Sequence, residues 1–506
     1  MKKKALSVFI TGALVCILML TGAMGVLAED ISSLDGIDEN GNYTLTQDIT
    51  VTTPVASFSG TLDGNNKTIT VNCTNDEAAG IFSSLNGATI KNLIIKANVT
   101  ATSEAGKAAY AGALAANAIK ATITNCSVSG TVTVSGNGSG SSVGGLIGKG
   151  SSLDISGCWS TAAVKSEQQN ASVGGLVGTA TEAETAINNC YNSGAVTTST
   201  DGDSSFAGGL VGTLDGDGSI KNSYNNGKIS GTKIGAIVGS ADGTFTNDYF
   251  LTSGSLKFYY SYPDGDTAPT GATAVSEEKM KSGEVAYNLQ GSQTNQVWGQ
   301  VLSGGSVDTA PVLTATTGEK VLKAVVKDSA DKDLGTDYFN SGSAPDFDGL
   351  VKSNMTLKIY SDKEMKTAVD DKTTYTQDVT LYGKYVCTVT FNSNGGSSVT
   401  SVTVDSGSKI TAPTSPTKSG YSFDAWYKDK DFKTKWDFTK DTVTENITLY
   451  AKWTSSTGAA NNDTAGTASN NPKAGDEGTP AIYYVLFALA LLIVGATSGL
   501  LIKRRR

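Results

Sequence analysis

The sequence predicts a mainly β protein in which a parallel β-helix, a solenoid, is followed by smaller β modules and a C-terminal transmembrane helix. Three observations predict it. A motif recurs every 32 or 33 residues through the first half of the chain. Short β-favouring runs bounded by Gly, Asn and Ser fill each repeat, with no long helical apolar period. A final uncharged stretch is long enough to cross a bilayer.

The N-terminus carries the pattern of an export signal. Three lysines precede an apolar run over residues 5–20, and Val26-Leu27-Ala28 forms a small-residue cleavage site. We therefore expect a signal peptide over residues 1–28.

The C-terminus carries the pattern of a membrane anchor. Residues 481–502 are uncharged, and at ~1.5 Å per residue they are long enough to cross ~30 Å of hydrocarbon. The basic residues 503–506 follow directly, and positive charge marks the cytoplasmic side. Everything before residue 480 is therefore expected outside the membrane.

The composition excludes several classes of function. The chain has no histidine, so it has no Ser-His-Asp or Cys-His constellation and no histidine-bearing zinc site. Between the cleavage site and Ala474 it carries 32 basic and 46 acidic residues, a formal charge of −14, and no arginine. Such a surface repels a phosphate backbone, so nucleic acid is not an expected partner.

Two short steps alternate in the repeats. The first, Gly-apolar-apolar-Gly, begins at Gly145, Gly175 and Gly209, with a looser copy at Ala236. The second, Ile-x-x-Cys or Ile-x-x-Ser, ends at Cys126, Cys158, Cys190 and Ser223, which are 32, 32 and 33 residues apart. Weaker copies end at Leu93 upstream and occupy residues 245–249 downstream.

One repeat cannot bury its apolar face alone, so successive repeats are expected to stack as coils of three short strands. Stacked coils lie ~4.8 Å apart, and equivalent residues then form ladders inside the solenoid. We expect one ladder of Leu146, Leu176 and Leu210, and another of the repeat cysteines. The glycines are expected at corners where side chains do not fit or where φ is positive.

Five cysteines remain after signal removal: Cys73, Cys126, Cys158, Cys190 and Cys387. Their number is odd, and three of them share one repeat position. Small buried residues stacked in register are expected. Export permits a disulfide. A dithiol or metal site is harder to reconcile with the ladder, because side chains stacked in register do not converge as zinc ligands must. No cofactor is expected.

The Gly-Leu-Val-Gly steps resemble the GLUG motif of surface proteins of Firmicutes, including the non-catalytic parts of some IgA-cleaving peptidases. Residues 43–64 are similar to the opening segment of such solenoids, and residues 284–300 are similar to their closing segment. The resemblance implies a parallel β-helix over residues 29–315, and it implies no activity.

A second kind of unit covers residues 386–453. It contains Asn394-Gly395-Gly396, the run Gly-Tyr-Ser-Phe-Asp-Ala-Trp-Tyr over residues 420–427, and a final Trp453. This unit is similar, almost position by position, to the Listeria-Bacteroides repeat of internalin-type B-repeats, apart from Ala425, where that family has Gly. The resemblance implies a small β-grasp module used as a stalk or adhesive spacer.

Residues 316–385 are expected to form a degenerate sister module, so that the chain has one or two β-grasp modules. Residues 360–364 and 380–385 parallel residues 427–431 and 448–453 of the second unit. The aromatic side chains of both modules are expected in their cores, because an ~65-residue unit has few other large apolar groups to bury.

Residues 454–475 read as a flexible spacer that ends in Asn471, Pro472, Lys473, Ala474 and Gly475. These five residues are similar to a sortase sorting signal of the Asn-Pro-Lys-Thr-Gly-Asp type, with Ala474 where that family has the acyl-donor Thr. The resemblance implies sortase and peptidoglycan as partners. Without a covalent link, the membrane helix remains the anchor.

We therefore expect a non-catalytic display or adhesion protein on the extracellular face of the cell, anchored in the wall or membrane. A host glycan or a matrix component is the class of ligand to test, and the sequence does not reveal which. The enzyme alternative is a glycan-degrading β-helix, a lyase or a hydrolase, whose paired acids would be Asp201-Gly202-Asp203 and Asp215-Gly216-Asp217. Their Gly-rich context favours solvated turns or calcium loops. A third possibility is a structural wall component without an external ligand.

Overall fold

The computed structural model describes residues 28–182, 184–199, 204–252, 256–261, 270–314 and 318–456. The signal peptide, the sorting-like motif, the C-terminal apolar segment and the Asp201-Gly202-Asp203 pair lie outside the described residues. Within these ranges, no helix has the length and apolar character needed to cross a membrane.

The chain divides into two compact units. The first runs to Thr390 and includes Ser401–Thr411 and Asp437–Ile447. The second comprises Phe391–Thr400, Ala412–Trp436 and, among the described residues, 448–456. This division follows spatial contacts rather than motifs, so the module bounds expected from the sequence stay predictions.

The first unit begins as a parallel β-helix with three sheets. Over the described residues, sheet 1 has 15 strands, sheet 2 has 12 and sheet 3 has 6. The strands of sheet 1 are Glu29–Ile31, Asn42–Leu45, Val55–Phe58, Thr61–Asp63, Phe82–Asn86, Thr89–Lys91, Ala115–Ile119, Thr122–Thr124, Ile147–Ser151, Asp154–Ser156, Val177–Thr181, Ala186–Asn188, Val211–Lys221, Val238–Thr246 and Tyr259–Ser261.

Sheets 2 and 3 close each coil. The strands of sheet 2 are Ile49–Val51, Thr68–Asp76, Ile94–Ser103, Ser127–Gly136, Trp159–Ser160, Ala163–Ser166, Tyr191–Asn192, Val196–Thr197, Tyr224–Asn225, Ile229–Ser230, Asp248–Leu251 and Ala272–Val275. The strands of sheet 3 are Ala78–Ala79, Tyr110–Gly112, Ser142–Gly144, Ser172–Gly174, Phe206–Gly208 and Lys233–Gly235.

The repeat period is one coil, as predicted. Ile123 aligns with Ile155, Ile155 with Ile187, and Ile187 with Ile220, all in parallel register. The predicted leucine ladder also forms: the Leu146 N–H donates to the Leu176 carbonyl at 2.9 Å, and all three leucines are fully buried. A coil has more than three strand segments, because the chain bends within sheets 1 and 2 as well as between them.

The corner before the cysteine position is mainly asparagine, which the sequence analysis did not recognise. The residues there have positive φ: Asn92 53°, Asn125 52°, Gly157 62°, Asn189 52°, Asn222 50° and Asn247 57°. Asparagine and glycine adopt this left-handed region at the lowest cost. The glycines of the Gly-apolar-apolar-Gly step serve close approach instead, since a Cβ on Gly175 would lie 2.1 Å from the Gly209 carbonyl oxygen.

A closing segment packs on the side of the solenoid. It contains helices Glu277–Lys281 and Glu284–Gln290, and an antiparallel pair of strands, Trp298–Gly299 and Val312–Leu313. The Ser276 side chain caps the first helix by accepting a hydrogen bond from the Lys279 N–H.

This segment covers a ladder of aromatic rings. Tyr191 stacks on Trp159 at 6.0 Å and on Tyr224 at 5.0 Å, and Trp298 lies 5.7 Å from Tyr224, between ring centroids. The buried rings explain the aromatic residues that follow the cysteine position in the repeats.

Five strands after the closing segment lie in a sheet that is distinct from those of the solenoid, and the last two residues of one of them, Val379–Asn392, belong to the second unit. They are Val321–Lys327, Asp333–Asn340, Thr356–Tyr360, Val379–Asn392 and Val402–Asp405, with a 3-10 turn over Asp348–Leu350. Val379–Asn392 pairs in parallel with Val321–Lys327 and antiparallel with the strands at 356–360 and 402–405. In the second unit, Tyr421–Tyr427 pairs antiparallel with Ile447–Ser455.

Candidate functional site

The cysteine ladder is a chain of hydrogen bonds between coils. Cys126 N–H donates to Cys158 Sγ at 3.3 Å, and Cys158 N–H donates to Cys190 Sγ at 3.4 Å. Cys190 N–H donates to Ser223 Oγ at 3.0 Å, and Ser223 N–H donates to Asp248 Oδ1 at 2.9 Å. Each side chain therefore satisfies a backbone N–H of the preceding coil. The prediction of small, buried cysteines stacked in one ladder is confirmed.

These thiols are not suited to nucleophilic chemistry. Burial raises the pKa of the Cys158 thiol well above its usual value. A neutral, inaccessible thiol is inert, because the thiolate is the reactive species.

Asp248 ends the ladder as a buried acid. Its carboxyl accepts hydrogen bonds from the Ser223 and Thr246 N–H groups at 2.9 and 3.1 Å. Burial raises the pKa of Asp248 to about 8, although both hydrogen bonds act in the opposite direction. Asp248 was not among the residues expected in the ladder, because it follows Ser223 by 25 residues, which is shorter than the repeat.

The candidate acids of the enzyme alternative lie on the solenoid surface. Asp215 and Asp217 are exposed on strand Val211–Lys221, where the pairing with the next coil is irregular. Asp242 of the next coil is also exposed. It lies next to Asp215, because Leu214 pairs with Ala241 and each aspartate directly follows one member of this pair. Partial burial and then the Asp242 carboxylate raise the pKa of Asp215. Because Asp215 is largely solvated, this repulsion costs little stability.

No metal-binding arrangement is found among these acids. In the described part of the chain, no group of three or more His, Cys, Asp or Glu side chains is placed to hold a metal ion. The structure places one further carboxylate, that of Asp242, beside the predicted pair Asp215 and Asp217. Asp242 lies 27 residues after Asp215 in the chain.

The second unit contains a groove of about 480 Å³ that we call the lysine–aromatic groove. Its lining residues are Asn392, Asn394, Lys418, Tyr421, Lys430, Phe432, Tyr450, Ala451, Lys452 and Trp453. Three of the ten are lysines and none is acidic, in a chain whose formal charge is −9. Lys452 is paired with Asp424 at 3.8 Å, so Lys418 and Lys430 supply most of the positive charge of this groove on an acidic protein.

Lys418 organises this groove. Its Nζ lies 4.8 Å from the ring centroid of Tyr421 and 5.8 Å from that of Trp453, and it donates to the Asn394 carbonyl at 2.8 Å. The Trp453 indole N–H donates to the Ser393 carbonyl at 2.8 Å, which holds the ring in place. Such cation–π contacts keep a lysine and two rings together at a surface.

The aromatic residues of this unit divide between core and surface. Phe391, Trp426 and Trp436 are buried, as predicted for the core. Tyr421 is 46% exposed, so it contributes to the groove rather than to the core. The sequence analysis assigned all of these residues to the core and missed the groove.

Family comparisons identify both repeat types. A Listeria-Bacteroides repeat domain matches residues 388–452, and the GLUG motif matches residues 205–230. The predicted resemblances to these two families are confirmed, and the resemblance of residues 471–475 to a sorting signal stays a prediction.

Two relatives show the extent of the similarity. The chain is 46% identical over 98 residues to a protein of Evansella cellulosilytica described as a membrane protein. The aligned segment covers 19% of this chain and 15% of that protein. Over 56 residues the chain is 54% identical to Internalin H of Listeria monocytogenes, which covers 11% of this chain and 10% of that protein. The chain thus matches only a small part of the length of these relatives.

One solved structure is also similar. It is a chain from Bacteroides ovatus described as an immunoglobulin A1 protease, 20% identical, covering 54% of this chain and 86% of that chain with a TM-score of 0.39. A likeness at this level carries no argument about activity. The chain therefore combines a parallel β-helix with a GLUG motif and a Listeria-Bacteroides repeat.

Proposed function

We propose that this chain is a non-catalytic cell-surface protein that displays its solenoid outside the cell and adheres to an extracellular ligand. Both repeat types resemble units of surface proteins, and one relative is described as a membrane protein. The observation that carries the proposal is the lysine–aromatic groove, where an exposed tyrosine lies beside clustered cations. Aromatic and cationic side chains at an accessible groove are the usual anchors of recognition.

The non-catalytic part of the proposal has separate support. The cysteines, Ser223 and Asp248 of the solenoid use their polar atoms in hydrogen bonds between coils. The chain has no histidine, which is the residue type most often used as a general base.

Attachment to the cell completes the proposal. The Listeria-Bacteroides repeat acts as a β-grasp stalk, residues 481–502 span the membrane, and sortase acts on the motif at Asn471–Gly475 if it accepts Ala474. Changing Ala474→Thr in a sortase-positive host tests the last step. If Ala474 limits covalent attachment, the threonine variant should shift from the membrane fraction to the wall fraction. An unchanged distribution would contradict the idea that Ala474 limits attachment.

Binding is tested with the full chain displayed on Gram-positive cells. Cells are probed against arrays of glycans and matrix proteins, and Tyr421→Ala is compared with Tyr260→Ala, a control tyrosine of similar exposure at 49%. If Tyr421→Ala loses binding and Tyr260→Ala keeps it, the lysine–aromatic groove is supported as the binding site. If wild-type cells bind nothing that bare cells do not bind, the adhesion proposal fails.

A glycan-degrading hydrolase is the second candidate, favoured by one observation. The Asp215 and Asp242 carboxylates are neighbours on coils that lie ~4.8 Å apart, close to the ~5 Å separation of retaining glycosidases. Reducing-sugar release from polysaccharides tests it, with Asp215→Asn against the exposed control Asp154→Asn. If the wild type and Asp154→Asn release reducing sugar and Asp215→Asn does not, the non-catalytic proposal is overturned.

A further inference from the structure

A second groove lies in the first unit, within the region predicted as the sister module. Its volume is about 690 Å³. The floor is formed by Phe347, Leu357, Ile359, Val369, Tyr375 and Leu381. All but Leu381 are partly exposed, although most are large apolar side chains. An unfilled apolar floor of this size in so small a module calls for an explanation.

The sister module and the Listeria-Bacteroides repeat share one turn, which aligns the two. The Asp362 carboxylate accepts hydrogen bonds from the N–H groups four and five residues onward, at 3.0 and 2.7 Å. The Asp429 carboxylate does the same at 2.9 and 2.8 Å. Met365 and Phe432, each three residues after its Asp, both have positive φ, of 56° and 58°. Residues of the two modules therefore correspond at an offset of 67 in the sequence.

This alignment shows what the sister module lacks. Trp436 N–H donates to the Trp426 carbonyl at 2.8 Å, and Val369 N–H donates to the Ile359 carbonyl at 2.9 Å. Ile359 and Val369 thus stand where the repeat has two tryptophans. Those two indoles are buried in the repeat, with 2% and 5% exposure. In the sister module the smaller Ile359 and Val369 side chains stand at these two positions, and both line the open groove.

The rim of the groove is acidic. Four aspartates line it, Asp346, Asp348, Asp370 and Asp371, against a single lysine, Lys358. The Lys372 N–H bonds to the Asp370 carboxylate and lowers its pKa, so this rim charge persists at neutral pH. The groove therefore offers an apolar floor, large enough to admit an aromatic ring, surrounded by negative charge.

We propose that this groove binds a partner polypeptide by taking up an aromatic side chain in place of the missing indoles, with flanking Lys or Arg residues against the aspartate rim. Buried aromatic anchors with a charged rim are the usual form of such recognition. The site is distinct from the lysine–aromatic groove, so the inference stands or falls independently of the ligand proposed there.

The test uses the full-length chain and three fluorescein-labelled peptides. The probes are Lys-Lys-Trp-Lys-Lys, Lys-Lys-Ala-Lys-Lys and Glu-Glu-Trp-Glu-Glu, and binding is followed by fluorescence polarisation. The first probe is expected to bind at least about tenfold more tightly than the second, because only it places a ring on the apolar floor. The third is expected not to bind. Equal binding of the first two probes would overturn the proposal.

Variants locate the binding. Val369→Trp restores the residue of the Listeria-Bacteroides repeat, so the chain fills its own groove and the tryptophan peptide should lose at least tenfold in affinity. Val402→Trp, at a valine that is 37% exposed and outside the groove, should leave the affinity unchanged. A folded Val369→Trp variant that binds like wild type contradicts the proposal.

A second pair of variants keeps the test valid if the tryptophan variant does not fold. Changing Asp370→Asn and Asp371→Asn together should weaken binding of the tryptophan peptide and reduce its dependence on salt. Asp333→Asn, an exposed acid outside the groove, is the control. Unchanged affinity in the double variant would also overturn the proposal.

Discussion

Replacing Cys158 by alanine tests the role of the cysteine ladder. Cys158 Sγ accepts the hydrogen bond of the buried Cys126 N–H at 3.3 Å and lies 3.3 Å from the Ser156 carbonyl, to which it donates. The alanine variant removes both contacts and leaves a small void. The serine variant keeps a donor and an acceptor at the same place.

The magnitude follows from which groups lose their partners. The Ser156 carbonyl still accepts the Asn125 N–H at 2.9 Å, so losing the thiol there costs little. The buried Cys126 N–H loses its acceptor, which costs ~1–3 kcal/mol, and the void adds ~1 kcal/mol. We expect Cys158→Ala to lower the free energy of unfolding by ~2–4 kcal/mol.

Cys158→Ser is the matched control, because serine already occupies this ladder position at Ser223. There the hydroxyl accepts the Cys190 N–H at 3.0 Å and donates to the Lys221 carbonyl at 2.9 Å. We expect the serine variant to lie within ~1 kcal/mol of wild type, since it preserves the hydrogen bonds.

Urea unfolding followed by far-UV circular dichroism measures the global effect. Amide hydrogen exchange at Cys126 measures the local effect, and it should become faster in the alanine variant alone. If the alanine and serine variants unfold at the same urea concentration, and the Cys126 amide stays equally protected in both, the hydrogen-bonding role of the ladder is wrong.

Three further predictions concern the solenoid. Because burial raises the pKa of Asp248 to about 8, the folded state retains a proton that the unfolded state loses near pH 4, so stability should fall as pH rises between these values. Urea midpoints at pH 5 and 8 should show this fall in wild type and not in Asp248→Ser. Gly175→Ala should destabilise by ~1–3 kcal/mol, because its Cβ would lie 2.1 Å from a carbonyl oxygen, whereas Gly305→Ala meets no atom within 4 Å and should be neutral in thermal unfolding. Trp298→Ala should cost ~3–5 kcal/mol and expose the aromatic ladder, which increased binding of a hydrophobic dye would report.

The periodic parts of the fold could be predicted because each coil repeats the same buried positions. Ile123, Ile155 and Ile187 recur at one spacing, and parallel stacking requires that spacing in the sequence. The repeat glycines could be predicted because they also recur at that spacing. The Listeria-Bacteroides repeat could be predicted because its motif residues stand in the expected order. The asparagine corners could have been found too, since Asn125, Asn189 and Asn222 each precede the ladder position.

The candidate sites could not be predicted in this way. Asp242 becomes a neighbour of Asp215 only because consecutive coils align, and Tyr421 and Trp453 line one groove only once the second unit has folded. The sequence offset of 67 gives the smaller residues of the sister module, Ile359 and Val369, but whether a groove stays open beside them depends on packing.

The solenoid period, the identity of the two repeat types and the absence of histidine chemistry could be read from the sequence, because they depend on residue type and spacing alone. Two other features needed the folded structure. The cysteines accept hydrogen bonds from the neighbouring coil, and Ile359 and Val369, at the positions of two buried tryptophans in the related module, line an open groove. Hydrogen-bond partners and unfilled volume are relations between residues that are distant in the chain, so they exist only once the chain has folded.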